Sequence, residues 1–123
     1  MRTCCVTLIV LLSIAIAWAN CDQTKTDYDV VYCDAKIYIQ ADKELNDAYQ
    51  KLVSKLKTDD KKLLKRGQLA WIEARNTQCT ERRAKDILVD LDCATRTTVE
   101  RTHFLNDRYR ECVSAGCMNS KLN

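Results

Sequence analysis

The chain of 123 residues contains no proline and only two glycines, Gly67 and Gly116. A β fold with many strands needs a turn about every eight to twelve residues, and such turns depend on glycine and proline. A composition this poor in both residues therefore disfavours sandwiches and barrels. It suits long helices joined by few connections, so we expect an all-α fold.

Three stretches carry apolar residues at the period of an α-helix. They run from about Asp34 to Lys57, from about Asp60 to Thr80 and from about Cys93 to Val113. The segment between Cys79 and Cys93 lacks this period, and we expect an irregular or short-helical loop there. This order predicts a small antiparallel bundle of three to four helices.

Local residues indicate where these helices begin and end. Thr58 or Asp59 is the expected N-cap of the second helix, because both side chains can accept a hydrogen bond from a helix N-terminus. Gly116 is placed as the C-terminal stop of the last helix. The polar segment 20–32 predicts a loop with a turn of helix.

The N-terminus has the three parts of a secretory signal peptide. Arg2 supplies positive charge, an apolar run occupies residues 6–17, and Ala17-Trp18-Ala19 provides a small-x-small cleavage site. We therefore expect residues 1–19 to be a signal peptide and residues 20–123 to form one helical domain, periplasmic or secreted. No second apolar stretch is long enough to span a bilayer, which takes about 20 residues.

Two alternatives remain for this N-terminus. The apolar run would serve as an uncleaved membrane anchor if it were not cut, although its length and flanks fit a signal peptide better. Lipidation of Cys21 is the other alternative, and it is disfavoured because Asn20 stands where a lipid-modified protein needs Gly, Ala or Ser.

Six cysteines remain after removal of the signal peptide. An even number in an exported chain predicts a disulfide framework, here of three bridges with about fifteen conceivable pairings. A zinc site is the competing interpretation, but there is no Cys-x-x-Cys pair and only one histidine. The six residues are Cys21, Cys33, Cys79, Cys93, Cys112 and Cys117.

Charge and residue content exclude several functional classes. The formal net charge of +3 falls to about +2 without Arg2, and no basic stripe suggests nucleic-acid binding. The single histidine, His103, has no evident nucleophile partner, and paired acids on helix starts and loops are usually solvated surface. We therefore expect neither an enzyme nor a cofactor or metal site.

Three motifs resemble the lysozyme inhibitor LprI-like family, a group of small exported bacterial proteins that includes YecT-type proteins. The resemblance covers about Cys21 to Leu105, and its second-helix motif is the most specific. The motifs are Ala41-Asp42-x-Glu44-Leu45-Asn46-x-x-Tyr49, Gln68-x-x-Trp71-x-x-x-Arg75-Asn76-x-x-Cys79 and Cys93-x-x-x-x-Thr98-x-x-Arg101-x-x-x-Leu105.

The chain departs from the family pattern in three respects. Asn76 stands where the family usually has aspartate, the loop between Cys79 and Cys93 lacks the common glycine, and Cys112 and Cys117 are additions. These departures leave the implied exported helical domain intact and weaken the transfer of binding details, especially across the loop.

The family pattern also orders the disulfide alternatives. Cys79 and Cys93 belong to the pattern and flank one loop, so the resemblance implies that they pair first. Pairing of Cys21 with Cys33 and of Cys112 with Cys117 is then the simplest remainder. A Cys33–Cys112 bridge is the alternative.

Four polar residues, Asn46, Gln68, Arg75 and Arg101, lie on helix faces that otherwise carry core residues. They would form either a recognition site or an internal hydrogen-bond network, and we favour the network because buried polar groups are usually paired. Tyr49 and Trp71 share the same stripe and are expected in the core. The motif residues expected to be structural are Leu45, Asn46, Tyr49, Gln68, Trp71, Arg75, Thr98, Arg101 and Leu105.

The segment between Cys79 and Cys93 is the candidate partner-binding loop. It offers three carboxylates, Asp86, Asp90 and Asp92, beside the aliphatic run 87–89. A bridged loop of this kind is preorganised to enter the cleft of a basic enzyme. The alternative is that the aliphatic residues cap the bundle while the acids face water, and the net positive charge also opposes binding to a basic target.

The resemblance implies a binding protein with a protein partner, namely lysozyme or another peptidoglycan hydrolase, which it would inhibit. A structural protein of the cell envelope and an immunity protein against an exported toxin are the alternatives.

The first testable prediction concerns processing and oxidation. Purified after export from a host expressing the full chain, the protein should begin at Asn20 and contain no free thiol. Reduction should add one hydrogen per cysteine, six in all, to the intact mass. A free thiol in the exported, oxidised protein would contradict the three-bridge framework.

Overall fold

The computed structural model describes residues 21–122, and the expected signal peptide lies outside this range. Within this range the structure has three α-helices, α1 (Asp27–Val53), α2 (Thr58–Gln78) and α3 (Leu91–Ser114), and a short 3-10 helix at Asn119–Lys121. Two short strands, β1 (Thr80–Arg83) and β2 (Asp86–Val89), connect α2 to α3. The predicted small all-α bundle is therefore confirmed, with a minor hairpin added. Within residues 21–122, every helix is too short or too polar to cross a membrane.

The helices pack around a core of leucine side chains. The most extensive contact is between α1 and α3. Short connections at both ends of α2, the second closed by the Cys79–Cys93 bridge, reverse the chain direction, so α2 runs antiparallel to its neighbours. Full burial of a leucine side chain stabilises a fold by about 1.5–3 kcal/mol, so this cluster is a principal source of stability. Its members are Leu45, Ala48, Leu52, Leu56, Leu64, Leu105 and Leu122.

Helix α1 begins at Asp27, seven residues before the predicted start, so the expected loop over residues 20–32 is wrong from Asp27 onward. The reason is a capping box. The Asp29 N–H donates to Thr26 Oγ1 (3.1 Å), and the Thr26 N–H donates to Asp29 Oδ2 (3.0 Å). The Lys25 N–H also donates to Asp29, and these bonds lower the pKa of its carboxyl. These hydrogen bonds stabilise the first turn of α1.

The second helix begins without a side-chain cap. Lys57 occupies the N-cap position, so the prediction of Thr58 or Asp59 as the cap is wrong. Both residues lie inside the first turn instead. There Asp59 and Asp60 still complement the positive end of the helix dipole.

The segment between Cys79 and Cys93 is a β-hairpin, and the expectation of an irregular or short-helical loop is wrong. Thr80 pairs with Val89 and Arg83 pairs with Asp86, which leaves Ala84 and Lys85 as a two-residue turn. β-branched residues near the base favour strands. Ala84 adopts φ = 46°, a left-handed conformation that glycine usually occupies in such turns.

Three disulfides join residues that are close in sequence: Cys21–Cys33, Cys79–Cys93 and Cys112–Cys117. The alternative Cys33–Cys112 bridge is not formed. Gly116 follows the C-cap of α3 with φ = 98°, so it stops the helix as expected. The chain then turns back, and Cys117 Sγ lies 3.6 Å from the carbonyl oxygen of Lys55.

The turn of the hairpin provides a stability test. Ala84→Gly should raise the free energy of unfolding by up to about 1 kcal/mol, because glycine tolerates positive φ without the steric cost that alanine incurs. Urea unfolding measures the change. The control is Ala70→Gly in α2, which should lower stability by about 1 kcal/mol. A loss of stability in Ala84→Gly would contradict the strain argument.

Candidate functional site

Strand β2 exposes its aliphatic side chains to solvent. Ile87 is 58% exposed, and Leu88 and Val89 are similarly open. None of the three side chains caps the bundle, in contrast to the alternative considered from the sequence. Their burial must come from another molecule if it occurs at all, so β2 is the strongest candidate contact surface of the hairpin.

The base of the hairpin is buried and fixed. Cys79, Cys93 and Ala94 are buried and pack against Tyr38 of α1. The Asp90 N–H donates to the carbonyl oxygen of Cys79 (2.9 Å). The exposed strands are therefore mounted on a covalently closed base at one end of the bundle.

The three predicted carboxylates of this loop have different environments. Asp90 is the N-cap of α3, where its Oδ1 accepts from the Cys93 N–H (2.9 Å). Asp92 forms an ion pair with Arg96 (2.7 Å) in the first turns of α3. Only Asp86 lies on the hairpin, and its carboxylate has no hydrogen bond or ion pair within residues 21–122. The three residues do not form one acidic cluster.

The tip of the hairpin is basic. Arg82, Arg83 and Lys85 lie there with Glu81 and Asp86. Arg83 binds Glu81 through two hydrogen bonds of 2.7 and 2.9 Å, and both side chains are largely exposed. The sequence predicted the three acids as the contact groups of this loop, whereas its main exposed feature is the aliphatic strand β2. The β-branched pair Ile87 and Val89 was the signal that pointed to a strand.

Arg101 is buried at the centre of the polar network between α2 and α3. Its Nε donates to Gln68 Oε1 (3.0 Å), and its guanidinium lies 4.4 Å from the Phe104 ring centroid and 5.9 Å from that of Trp71. Burial lowers the pKa of Arg101 from its ordinary value. Within residues 21–122, its Nη2 is buried without a hydrogen-bond partner. The Gln68 contact is therefore valuable to the fold.

Arg75 connects all three helices. Its Nη1 lies 3.4 Å from Thr98 Oγ1 of α3 and 3.8 Å from Asp42 Oδ1 of α1. Its guanidinium also lies over the rings of Trp71 (5.0 Å) and Tyr38 (5.6 Å). Cation–π contacts of this kind compensate part of the cost of removing a charge from water. This geometry supports a positioning role for Arg75 in the packing of the helices.

The other motif residues divide between the core and a shallow cleft. Leu45, Leu105 and Thr98 are buried, whereas Tyr49 and Trp71 are half-buried at the edge of the leucine core. Asn46 is exposed, and its amide donates to the Asp42 carbonyl (2.9 Å) and carboxylate (3.2 Å) within α1. The cleft has a volume of about 340 Å³ and its lining includes Asp42, Asn46, Tyr49, Gln68, Trp71 and Arg75.

Residues 21–122 contain no group of three His, Cys, Asp or Glu side chains arranged to hold a metal ion. His103 lies exposed on α3.

A family model described as lysozyme inhibitor LprI matches residues 18–105. The matched span contains all three sequence motifs and the hairpin, and it ends before Cys112 and Cys117. No curated protein and no solved structure matches the chain.

The buried arginine predicts a specific energetic coupling. Gln68→Leu should lower the free energy of unfolding by about 2–3 kcal/mol, because it leaves the buried guanidinium of Arg101 without its hydrogen-bond acceptor. Adding Arg101→Met should recover most of that loss, since the unpaired charge is removed. Urea unfolding of both single variants and the double variant measures the coupling. Additive losses would show that the Gln68–Arg101 contact has no special value.

Proposed function

The chain belongs to the lysozyme inhibitor LprI family, and from this premise we propose that it is an exported protein that binds and inhibits a lysozyme-type cell-wall hydrolase. The expected signal peptide and the three disulfides support a periplasmic or secreted location. The domain that binds would be residues 20–123.

The observation that carries this proposal is the exposed aliphatic strand β2. Interfaces derive most of their affinity from a few side chains that become fully buried, and each aliphatic side chain gains about 1.5–3 kcal/mol on complete burial. Ile87, Leu88 and Val89 have this potential and no partner inside the chain. No other strand or loop in residues 21–122 combines consecutive exposed aliphatic residues with a closed, buried base.

The hairpin is preorganised for such binding. The Cys79–Cys93 bridge and the Asp90–Cys79 backbone hydrogen bond hold its two ends together. A loop that is already ordered loses less conformational entropy when it binds, which leaves more of the contact energy as affinity. A short rigid hairpin is also a suitable shape for the open cleft of a hydrolase.

The polar motif residues fit this function poorly as direct contacts. Arg75 contacts Thr98 of α3, Gln68 accepts a hydrogen bond from Arg101, and Arg101 is buried with 9% of its surface exposed. We therefore propose that they position the helices that carry the hairpin. The family consists of inhibitors rather than enzymes, and we propose no catalytic residue in this chain.

Inhibition assays test the proposal. The exported protein should reduce turnover of cell walls by chicken-type or goose-type lysozyme in a dose-dependent manner. Ile87→Ala/Val89→Ala should raise the inhibition constant at least about tenfold, the equivalent of 1.4 kcal/mol, because two anchors on the same face of β2 are truncated. Cell-wall turnover at several inhibitor concentrations measures this change.

The matched control is Val113→Ala, which truncates an exposed aliphatic residue near the end of α3. It should inhibit as the unmodified protein does, and both variants should unfold at the same urea concentration as the parent. No inhibition by the parent far above the enzyme concentration would exclude both lysozymes as targets. Equal inhibition by the hairpin variant would exclude β2 as the contact.

A further inference from the structure

Helix α1 is longer than the bundle needs. The start of α3 packs at the level of Tyr38, and the run of core residues in α1 extends from Ala41 to Leu52. The preceding segment Asp27–Ile39 projects past this level, and we refer to it as the N-terminal arm. Cys33 is its only buried residue, and that residue is bridged to Cys21.

The arm exposes a stripe of large apolar side chains. Tyr28 is 77% exposed and Ile39 is 67% exposed, with Val31 between them on the same side of the helix. A shallow depression of about 460 Å³ lies beside Cys21 and is lined by Ile37 and Ile39. The arm therefore offers both protruding rings and an apolar recess.

Exposed apolar residues are concentrated at this end of the molecule. Nine of the thirteen large exposed apolar residues in the described chain lie on the arm or on β2. The arm and the hairpin meet at Tyr38, which packs against the buried Cys79–Cys93 bridge. Concentrated apolar surface of this kind usually marks an interaction site.

The arm is acidic, although the mature chain is basic. Residues 21–39 contain four aspartates and two lysines, for a formal charge of −2. The hairpin itself, residues 80–89, contains two acids and three bases, for +1, because Asp90 and Asp92 belong to the start of α3. The remaining residues 40–79 and 90–123 contain fourteen bases and eleven acids, for +3. The negative charge at this end of the molecule therefore lies on the arm.

We propose that the arm and the hairpin together form one docking surface for a basic protein, namely the cationic hydrolase of the proposed function, on which this inference rests. The arm's apolar stripe provides burial beside β2. Its carboxylates, such as Asp27 and Asp34, attract the cationic partner and orient it toward this end. This surface adds a second contact region to the hairpin.

The arm is ordered before binding. The capping box of Thr26 and Asp29 fixes its first turn, and the Cys21–Cys33 bridge attaches the preceding segment to the helix. A fixed helix presents its rings without the entropic loss of folding on contact. The Cys21–Cys33 bridge restrains the segment before the arm, and the Cys79–Cys93 bridge closes the base of the hairpin. Two independent disulfides therefore stabilise the two parts of this surface.

The test uses the exported protein and a cationic chicken-type lysozyme, with association and dissociation rates measured at low and high salt. Tyr28→Ala/Val31→Ala should raise the dissociation rate at least about tenfold, because interface truncations act mainly on dissociation. Met118→Ala, at the opposite end, is the control and should leave both rates unchanged.

The contribution of charge is tested with the variant Asp27→Asn/Asp34→Asn. The association rate of this variant should fall several-fold at low salt. The difference should vanish near 0.5 M salt, where the Debye length is about 4 Å and screening removes electrostatic steering. The control Asp47→Asn/Glu100→Gln makes the same change in net charge outside the arm and hairpin. It should have a much smaller effect on the association rate.

The outcomes separate this inference from the proposed function. If the parent binds and Ile87→Ala/Val89→Ala weakens binding while both arm variants match the parent, the arm inference is overturned and the proposed function stands. If the parent does not bind the cationic enzyme, both are overturned for that partner. A parent that sediments as a dimer, and a Tyr28→Ala/Val31→Ala variant that sediments as a monomer, would assign the arm to self-association and overturn the inference.

Discussion

The Cys79–Cys93 bridge is the constraint on which the functional end of this molecule depends. It joins the end of α2 to the start of α3 and lies buried against Tyr38. Closure of a loop of this length contributes about 3 kcal/mol in the chain-entropy model. The bridge holds the two ends of the segment together, and the antiparallel pairing of β1 with β2 leaves a two-residue turn between them. The aliphatic side chains of this hairpin remain exposed.

The polar interior has a different role from the leucine core. A buried guanidinium is costly, and burial lowers the pKa of Arg101. One amide acceptor and two aromatic rings offset part of that cost. Leucine packing alone would tolerate sliding of one helix along another. The contacts of Arg75 with Thr98 and Asp42 form in only one register. We infer that this network fixes the height of α2 relative to α1 and α3, and with it the position of the hairpin.

The sequence predicted the helix interiors because their apolar period is regular, and it failed where local or tertiary effects decide. The start of α1 depends on the reciprocal bonds of Thr26 and Asp29, a capping box with aspartate where glutamate or glutamine is usual. The hairpin was missed because its turn has Ala84 at positive φ in place of glycine. The motif residues were identified by resemblance, but the exposure of β2 depends on how the helices pack. That exposure could not be predicted from the order of residues.

Net charge is a poor guide to the partners of a molecule with this shape. The mature charge of about +2 would repel a cationic partner if it were evenly spread. The arm alone is about 20 Å long at 1.5 Å per helical residue, twice the Debye length of about 10 Å at 0.1 M salt. A partner that approaches the arm therefore encounters mainly its formal charge of −2, while much of the positive charge carried elsewhere is screened. Overall positive charge and attraction of a cationic partner are compatible because the acids of the arm lie beside its exposed apolar residues.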